Sequence, residues 1–409
     1  MASYSLLFIV LCCYCCAIQI DGRKRFHDIR ERRFWQAVVD KLKNKTVNKF
    51  HIDFRRFEQE DMVLYPDIAF ESLKNDSTWN VVIHGWRYES NHGRSWLGIT
   101  LTRWVERIAK HLLDPDAIVY LNGSLNRDRL KPFFVDDESN DVIEIKVGTM
   151  TQSLRTDVNG QFYGELLLTN NQIQTIRQQQ QLKDNIITYE ATGDNQDRAQ
   201  GVIRLIEPRQ GISVISDVDD TIKISEVLDK VRLIANTFIY PFKPVPGMAD
   251  LYRQWYTSNA NCTFHYLSGM PDQLYTLTQE FIYTNNFPDG SFHMRHFGWA
   301  AASLFEFLHS DATFMHKIKH LRFFLSNTIR DYVLVGDSGE KDPEIYGTIA
   351  REYPQRIRAI FIRAIKNEDF NDRRFLTAFE GIPSEKWQVF DNPQQLPTDL
   401  SRSPRATAH

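Results

Sequence analysis

Hydrophobic and polar positions along the chain follow three successive regimes. The first is a single apolar run from Leu6 to Ile18, too short for an ordinary membrane span and of the length expected for the hydrophobic core of a secretory signal. Ala17 and Gly22 offer small residues for cleavage, and Arg23, Lys24 and Arg25 end the run abruptly. The reading is a signal peptide over 1–22, with an uncleaved or palmitoylated anchor as the alternative. Phe34, Trp35, Val38, Val39 and Leu42 then recur at helical spacing among basic residues, so 23–79 reads as an N-terminal helical segment. Its apolar face would dock on its own domain or lie on an anionic membrane surface.

From 80 to 208 the pattern shortens to strand-like runs: Val81 to Ile83, Ala117 to Leu121, Val142 to Val147, Phe162 to Leu168, Ile187 to Ala191 and Val202 to Ile206. Asn159-Gly160 supplies a turn signal, because both residues tolerate positive φ. One helix interrupts the series, with Leu97, Leu101, Trp104, Ile108 and Leu112 on one face, and Gln178 to Gln181 reads as a loop or frayed helix. This half is expected to be a β-rich, sandwich-like domain, and it holds no visible grouping of acids, bases and nucleophile.

From 209 to 392 buried-strand runs (Ile212 to Ile215, Thr263 to Leu267, Tyr332 to Val335, Ile357 to Ile362) alternate with longer amphipathic stretches. That grammar predicts an α/β domain, a parallel sheet covered by helices, with its chemistry at the carboxyl ends of the strands. Residues 393–409 read as a disordered tail.

Composition narrows the picture. A chain of 409 residues suggests about two to three domains. With 49 Lys+Arg against 52 Asp+Glu and a net charge of −3, it lacks the excess charge of a polyanion binder, so no nucleic acid is expected as a partner. Cys12, Cys13, Cys15 and Cys16 fall in the first apolar run and leave only Cys262, which excludes a disulfide scaffold and a Cys/His zinc site. Sequons at Asn44, Asn75, Asn122 and Asn261 agree with a secreted or secretory-pathway glycoprotein. The alternative is a membrane-associated intracellular chain.

The candidate chemistry begins where the strand Ile212 to Ser216 runs into Asp217-Val218-Asp219-Asp220-Thr221. Three carboxylates within four residues repel one another in a crevice unless a cation sits among them, and a hard cation such as Mg²⁺ answers that need. In extended backbone Asp217 and Asp219 project to one side, so one can attack while the other handles protons. The strand Thr263 to Leu267 ends in Ser268-Gly269 before Pro271, where a hydroxyl and free N–H groups can hold a phosphate oxygen. The strand Tyr332 to Val335 ends in Gly336-Asp337-Ser338-Gly339-Glu340-Lys341-Asp342. Between them lies Lys317 on a helical stretch with Leu321, Phe324 and Leu325, with Lys319 as its competitor for neutralising a phosphate.

This ordered set resembles the haloacid-dehalogenase-like phosphohydrolases. Ser216 to Lys223 (SDVDDTIK), Phe242 to Met248 (FKPVPGM), His265 to Pro271 (HYLSGMP) and Gly336 to Tyr346 (GDSGEKDPEIY) narrow the resemblance to the actin-patch-associated, Mg²⁺-dependent phosphatidate phosphatase family, related to the lipins, over about 202–392. The β-rich half, through His84-Gly85-Trp86 and Asp157 to Phe162, is similar to that family's accompanying domain. The resemblance implies a haloacid-dehalogenase-like Rossmannoid fold over 209–392. It implies Asp217 as nucleophile and metal ligand, and Asp219 as general acid/base that lends its carbonyl to the metal and has a pKa raised by its acidic neighbours. It further implies Thr221, Ser268, Gly269 and Lys317 as phosphate-binding residues, and Asp337 and Asp342 around Mg²⁺. The family commonly carries a small polar pair where Gly269-Met270 stands here.

The activity so implied is hydrolysis of phosphatidate, or a related phospholipid, to diacylglycerol and phosphate. The alternatives are a phosphatase of another phosphomonoester and a non-catalytic phosphatidate-binding module. Peripheral membrane contact or an acyl-chain groove is assigned to the aromatic segment Phe238 to Phe242 or the run Phe297 to Leu308, against simple core packing; Arg295 is a further headgroup candidate.

Overall fold

The computed structural model describes residues 60–89 and 129–400, apart from positions 76, 130, 134, 182–184, 208, 297–309 and 367. The expected signal peptide, the basic helix, the helix Leu97 to Leu112, the strand Ala117 to Leu121 and the run Phe297 to Leu308 lie outside those residues. Among the described residues no helix is long and apolar enough to cross a membrane.

Nine strands form one hydrogen-bonded sheet. They are β1 (Glu60–Leu64), β2 (Asp67–Glu71), β3 (Thr78–Glu89), β4 (Asp136–Asp137), β5 (Val142–Val147), β6 (Met150–Arg155), β7 (Gln161–Thr169), β8 (Ile186–Thr192) and β9 (Arg198–Ile206), with helix α1 (Asn170–Gln180) between β7 and β8. Strand β3 organises the sheet. It pairs with β7 from Thr78↔Thr169 to Trp86↔Gln161 on one edge, and with β2 and then β1 on the other. The path continues through β9, β8, β5 and β6. Alternation sends Ile143, Ile145 and Val147 of β5, and Phe162, Leu166 and Leu168 of β7, into one shared core. The strands read as sandwich-like form one hydrogen-bonded path among the described residues, and β5 and β7, far apart along it, share a core.

Two strands depart from the expected boundary at residue 80. β1 and β2 fall in the segment read as helical; Glu-Asp-Met-Val-Leu and Asp-Ile-Ala-Phe-Glu each carry one block of three apolar residues and no alternation. β6 was also not anticipated, since Met-Thr-Gln-Ser-Leu-Arg is exposed at all but Leu154 and partly Gln152, leaving no apolar run.

The second sheet holds β10 (Ile212–Ser216), β11 (Thr263–Pro271), β12 (Gly290–Arg295), β13 (Asp331–Asp337), β14 (Ile357–Arg363) and β15 (Trp387–Phe390). Every pairing is parallel and the order is β12-β11-β10-β13-β14-β15. The connections contain α2 (Lys230–Phe238), α3 (Met248–Ser258), α4 (Tyr275–Thr284), α5 (Ser310–Asn327), α6 (Asp342–Glu352) and α7 (Arg373–Ala378). The chain reverses its direction of travel across the sheet between β10 and β13, and the crevice outside such a switch point is where open α/β sheets bind ligands.

The two sheets share packing. Ile68 and Phe70 of β2, Val82 of β3 and Ile206 of β9 belong to the same buried cluster as Leu321, Phe324 and Leu325 of α5 and Ile345 and Ile349 of α6. Phe292 N of β12 donates to Pro66 O at 3.1 Å, which ties the edge of the parallel sheet to the loop before β2. At the other end Leu396 and Leu400 are buried and Trp255 Nε1 donates to Pro397 O at 2.6 Å, so ordered packing runs through Leu400 and the expected tail does not begin at 393. The aromatic segment read as a membrane or acyl-chain contact is also corrected at its start: Phe238 and Ile239 are buried, and Phe238 packs edge-on against Phe133.

Candidate active site

Asp217 stands one residue beyond β10 and is 1 % exposed. Its N–H donates to Val335 O at 2.9 Å, which carries the β10–β13 ladder one step past the strand end and aims the side chain into the switch-point crevice. Thr221 Oγ1 donates to Asp217 Oδ2 at 3.0 Å, and Lys317 Nζ donates to Oδ1 at 2.8 Å. Both oxygens of the carboxylate are held.

Lys317, fully buried on α5, also meets Asp342 Oδ1 at 2.5 Å and Glu340 Oε2 at 3.4 Å. Burial alone would discharge the amine, but Asp217, Asp342 and Glu340 outweigh it and hold its pKa well above the ordinary lysine range. Lys319, the competitor, is exposed. Asp337 closes β13. Its Oδ1 accepts from Gly339 N at 2.6 Å and Glu340 N at 3.2 Å, while its buried Oδ2 has no hydrogen-bond partner. Asp342 Oδ2 accepts from Asp337 N at 3.3 Å, an approach possible because Gly336 has no side chain: a Cβ there would lie 2.3 Å from that oxygen.

Carboxylate oxygens of Asp217, Asp337 and Asp342 all lie within 4.8 Å of one another. With Glu340 alongside, four carboxylates face one ammonium. Burial, then neighbouring carboxylates, push the pKa values of Asp217 and Asp337 well up despite Lys317. An unpartnered buried carboxylate oxygen amid excess negative charge fits a hard divalent cation such as Mg²⁺.

The other acidic residues of the motif do different work. Asp220, at φ +52°, turns away and accepts from Ser225 N, Glu226 N and Val227 N at 2.7–2.9 Å, so it shapes the loop after β10 and adds no charge to the cluster. Asp219 accepts from Lys223 Nζ at 2.7 Å, Ser225 Oγ at 2.6 Å and Ser268 Oγ at 3.3 Å. Burial pushes its pKa up, but Lys223 and these hydrogen bonds prevail and leave it lowered. The expectation of a raised Asp219 is thus reversed, and its carboxylate lies outside the three-carboxylate cluster. Ser268 is committed to Asp219 and to Met270 N, which donates to its Oγ at 3.0 Å. Gly269 is explained by α5: a Cβ there would stand 2.6 Å from Thr313 Cγ2, so a polar residue does not fit. Arg295 ends β12 opposite Pro271.

Four contributors escaped the sequence reading as site residues. Lys223 is 1 % exposed, at i+4 from Asp219, with its ammonium 4.4 Å from the Phe242 ring centroid. Ser225 and Glu340 lie inside or beside the quoted motifs, where only their partners reveal a role. Arg374 on α7 donates to Ser338 O and Glu340 O and pairs with Glu344 at 2.8 Å, clamping the loop between β13 and α6. No local signal marked it.

Residues 212–364 match the family described as the catalytic domain of phosphatidate phosphatase APP1. The chain is 33 % identical over 204 residues to phosphatidate phosphatase APP1 of Saccharomyces cerevisiae, covering 47 % of this chain and 32 % of that protein. An uncharacterised protein of Schizosaccharomyces pombe is 34 % identical over 164 residues, covering 39 % of this chain and 26 % of that one. The chain thus spans about a third or less of the curated relatives it matches. Among solved structures, a Photobacterium 2,6-sialyltransferase overlaps at 10 % identity over 54 % of this chain and 36 % of that one, with a TM-score of 0.19, too low to indicate a common fold.

Proposed function

We propose that this chain, whose residues 212–364 are an APP1-type catalytic domain, is a Mg²⁺-dependent phosphatidate phosphatase acting through an aspartyl-phosphate. The observation that carries the reading is the meeting of Asp217, Lys317 and the unpartnered Asp337 Oδ2 at the switch point of the parallel sheet. Repulsion between a carboxylate and a phosphate dianion is about 4 kcal/mol per unit charge pair at ~4 Å and an effective dielectric of ~20. Asp217, Asp337 and Asp342 would hold Mg²⁺, which supplies positive charge against that repulsion. Lys317 adds a buried cation at the attacking oxygen and offsets part of the burial that raises the Asp217 pKa.

Asp217 attacks phosphorus in line, the bond from phosphorus to the leaving alcohol oxygen breaks, and Asp217 carries the phosphoryl group. Asp219, ionised in the free site, takes a proton from solvent as the approaching dianion raises its proton affinity, passes it to the leaving alkoxide, and then takes another from the water that hydrolyses the acyl phosphate. Ser225, Lys223 and Ser268 hold that carboxylate in place.

The deciding experiment is phosphate release from phosphatidate by the purified chain, with Mg²⁺ and with chelator, beside Asp217→Asn. Mg²⁺-dependent release that Asp217→Asn abolishes, with an unchanged circular dichroism spectrum, is the expected result. Wild-type inactivity with Mg²⁺ present, or near-normal turnover by Asp217→Asn, would overturn the reading.

A further inference from the structure

At the carboxyl ends of β11 and β12 stands an ionic pair that the phosphoryl chemistry does not use. Asp272 follows Pro271 and is 2 % exposed. Its two oxygens lie 2.9 and 3.0 Å from His296 Nδ1, and Gln161 Nε2 donates to Oδ2 at 2.6 Å. Gln161 belongs to the β-rich half, where it starts β7 after a turn whose Asp157 Oδ1 accepts from Asn159 N and Gln161 N. The carboxylate is therefore held from both sheets. Trp86 of β3 packs edge-on against the imidazole with centroids 5.8 Å apart, and is itself fixed by Nε1 donating to Asp137 Oδ1 at 3.1 Å.

The His296 side chain is only 9 % exposed, yet its Nε2 has no hydrogen-bond partner. Buried polar atoms are rarely left unmatched without a functional reason. Asp272 overcomes the effect of burial and raises the His296 pKa, which makes Nε2 a donor in search of an acceptor. Strand order supplies the location. His296 follows β12, two strands over from β10 and, by the register that sets Ser216 level with Tyr266 and Phe292, three residues farther along than Asp217, so its backbone stands about 14 Å away at a strand spacing of about 4.8 Å and a rise of about 3.3 Å per residue. That is too far for the phosphoryl group and within reach of the alcohol bonded to it, extended across the end of β11.

We propose that His296, oriented by Asp272 and Gln161, is a specificity site that donates a hydrogen bond to an ester-carbonyl oxygen of the substrate's acyl alcohol, and that the β-rich half completes this site. The inference rests on the phosphatidate phosphatase reading. Its test compares kcat/KM of the full chain for diacyl phosphatidate and for the dialkyl ether analogue, which lacks the carbonyl oxygens, in wild type, His296→Asn and Gln161→Ala. A hydrogen bond from a charged donor corresponds to a preference of about 10- to 100-fold for the diacyl lipid. Wild type shows that preference, and it collapses toward about 1 in His296→Asn and weakens in Gln161→Ala, which leaves the ion pair in place and serves if His296→Asn does not fold. Equal wild-type rates on both lipids overturn the inference while the phosphatase reading stands, as does a preference retained in the variants. Wild-type inactivity on both lipids overturns the two together.

Discussion

Lys317 sits fully buried with carboxylates at 2.5, 2.8 and 3.4 Å, so its removal strands the buried carboxylates of Asp217 and Asp342. Breaking a buried ion pair from one side costs about 3–5 kcal/mol. Lys317→Met is accordingly expected to lower the unfolding free energy measured in urea by that amount and to lose turnover, with Mg²⁺ restoring part of the stability and none of the turnover. Asp67 presents the opposite situation. It is buried with no cation beside it among the described residues, and burial, relieved by the Ile68 N–H at 2.9 Å, raises its pKa from 3.8 to about 7. A folded-state pKa above the unfolded value means that the folded chain holds the proton more tightly. The associated stability is complete below about pH 4 and is lost as pH rises through about 7. Ionised Asp67 then costs on the order of 4 kcal/mol at pH 8. Asp67→Asn should raise Tm at pH 8, and the gain should shrink steadily toward pH 4; a pH-independent difference would contradict this account.

At the scale of elements, β2 is decisive because it is buried on both faces. Ala69 points into the core of the nine-stranded sheet, while Ile68 and Phe70 point into the core beneath the parallel one. Five residues thus join two hydrophobic clusters, and Phe70 packs edge-on against Phe323 of α5. Phe70→Ala is expected to cost about 3–5 kcal/mol, measured by chemical denaturation, through lost burial and the cavity left behind. The same face explains why β2 gave no strand signal: a doubly buried run of Asp-Ile-Ala-Phe-Glu has neither alternation nor length. β12 was hidden for a different reason. His293 and Ser291 are buried polar residues, with Ser291 Oγ 2.7 Å from His265 Nδ1 and 2.8 Å from His293 Nε2, so the strand's interior is satisfied by hydrogen bonds among positions that look exposed in sequence.

For the whole molecule, the two sheets cannot be treated as independent. Each aliphatic or aromatic side chain at the join contributes roughly 1.5–3 kcal/mol when buried, and Ile68, Phe70, Val82 and Ile206 all come from one sheet to cover α5 and α6, which carry Lys317 and Asp342. A fragment of residues 209–400 should therefore have a Tm below that of the full chain and bind a hydrophobic dye under conditions where the full chain does not. A fragment as stable as the parent would show that the join is dispensable. Gln161, whose amide crosses from the β-rich half to Asp272, would be lost in the same cut.

Much of the catalytic half was legible because its signals are local. Apolar runs of strand length end at Asp217, Ser268 and Asp337, and in a parallel sheet strand ends converge on one edge, so the order of motifs already placed these three side chains together. Lys317 was separable from Lys319 only in three dimensions, by which of two helix positions faces the carboxylates. The sequence by itself determined the chemical inventory and the parallel-sheet grammar. Tertiary structure decided the partners: Asp219 ionised beside Lys223, Asp220 spent on backbone N–H groups, Gly269 required by Thr313, and Asp272 paired with His296 and held from across the join by Gln161, 111 residues earlier in the chain. The reason is physical. A side chain's periodicity is set by its immediate neighbours, but its charge and hydrogen bonding are set by whichever groups share its burial, and those arrive from distant parts of the chain.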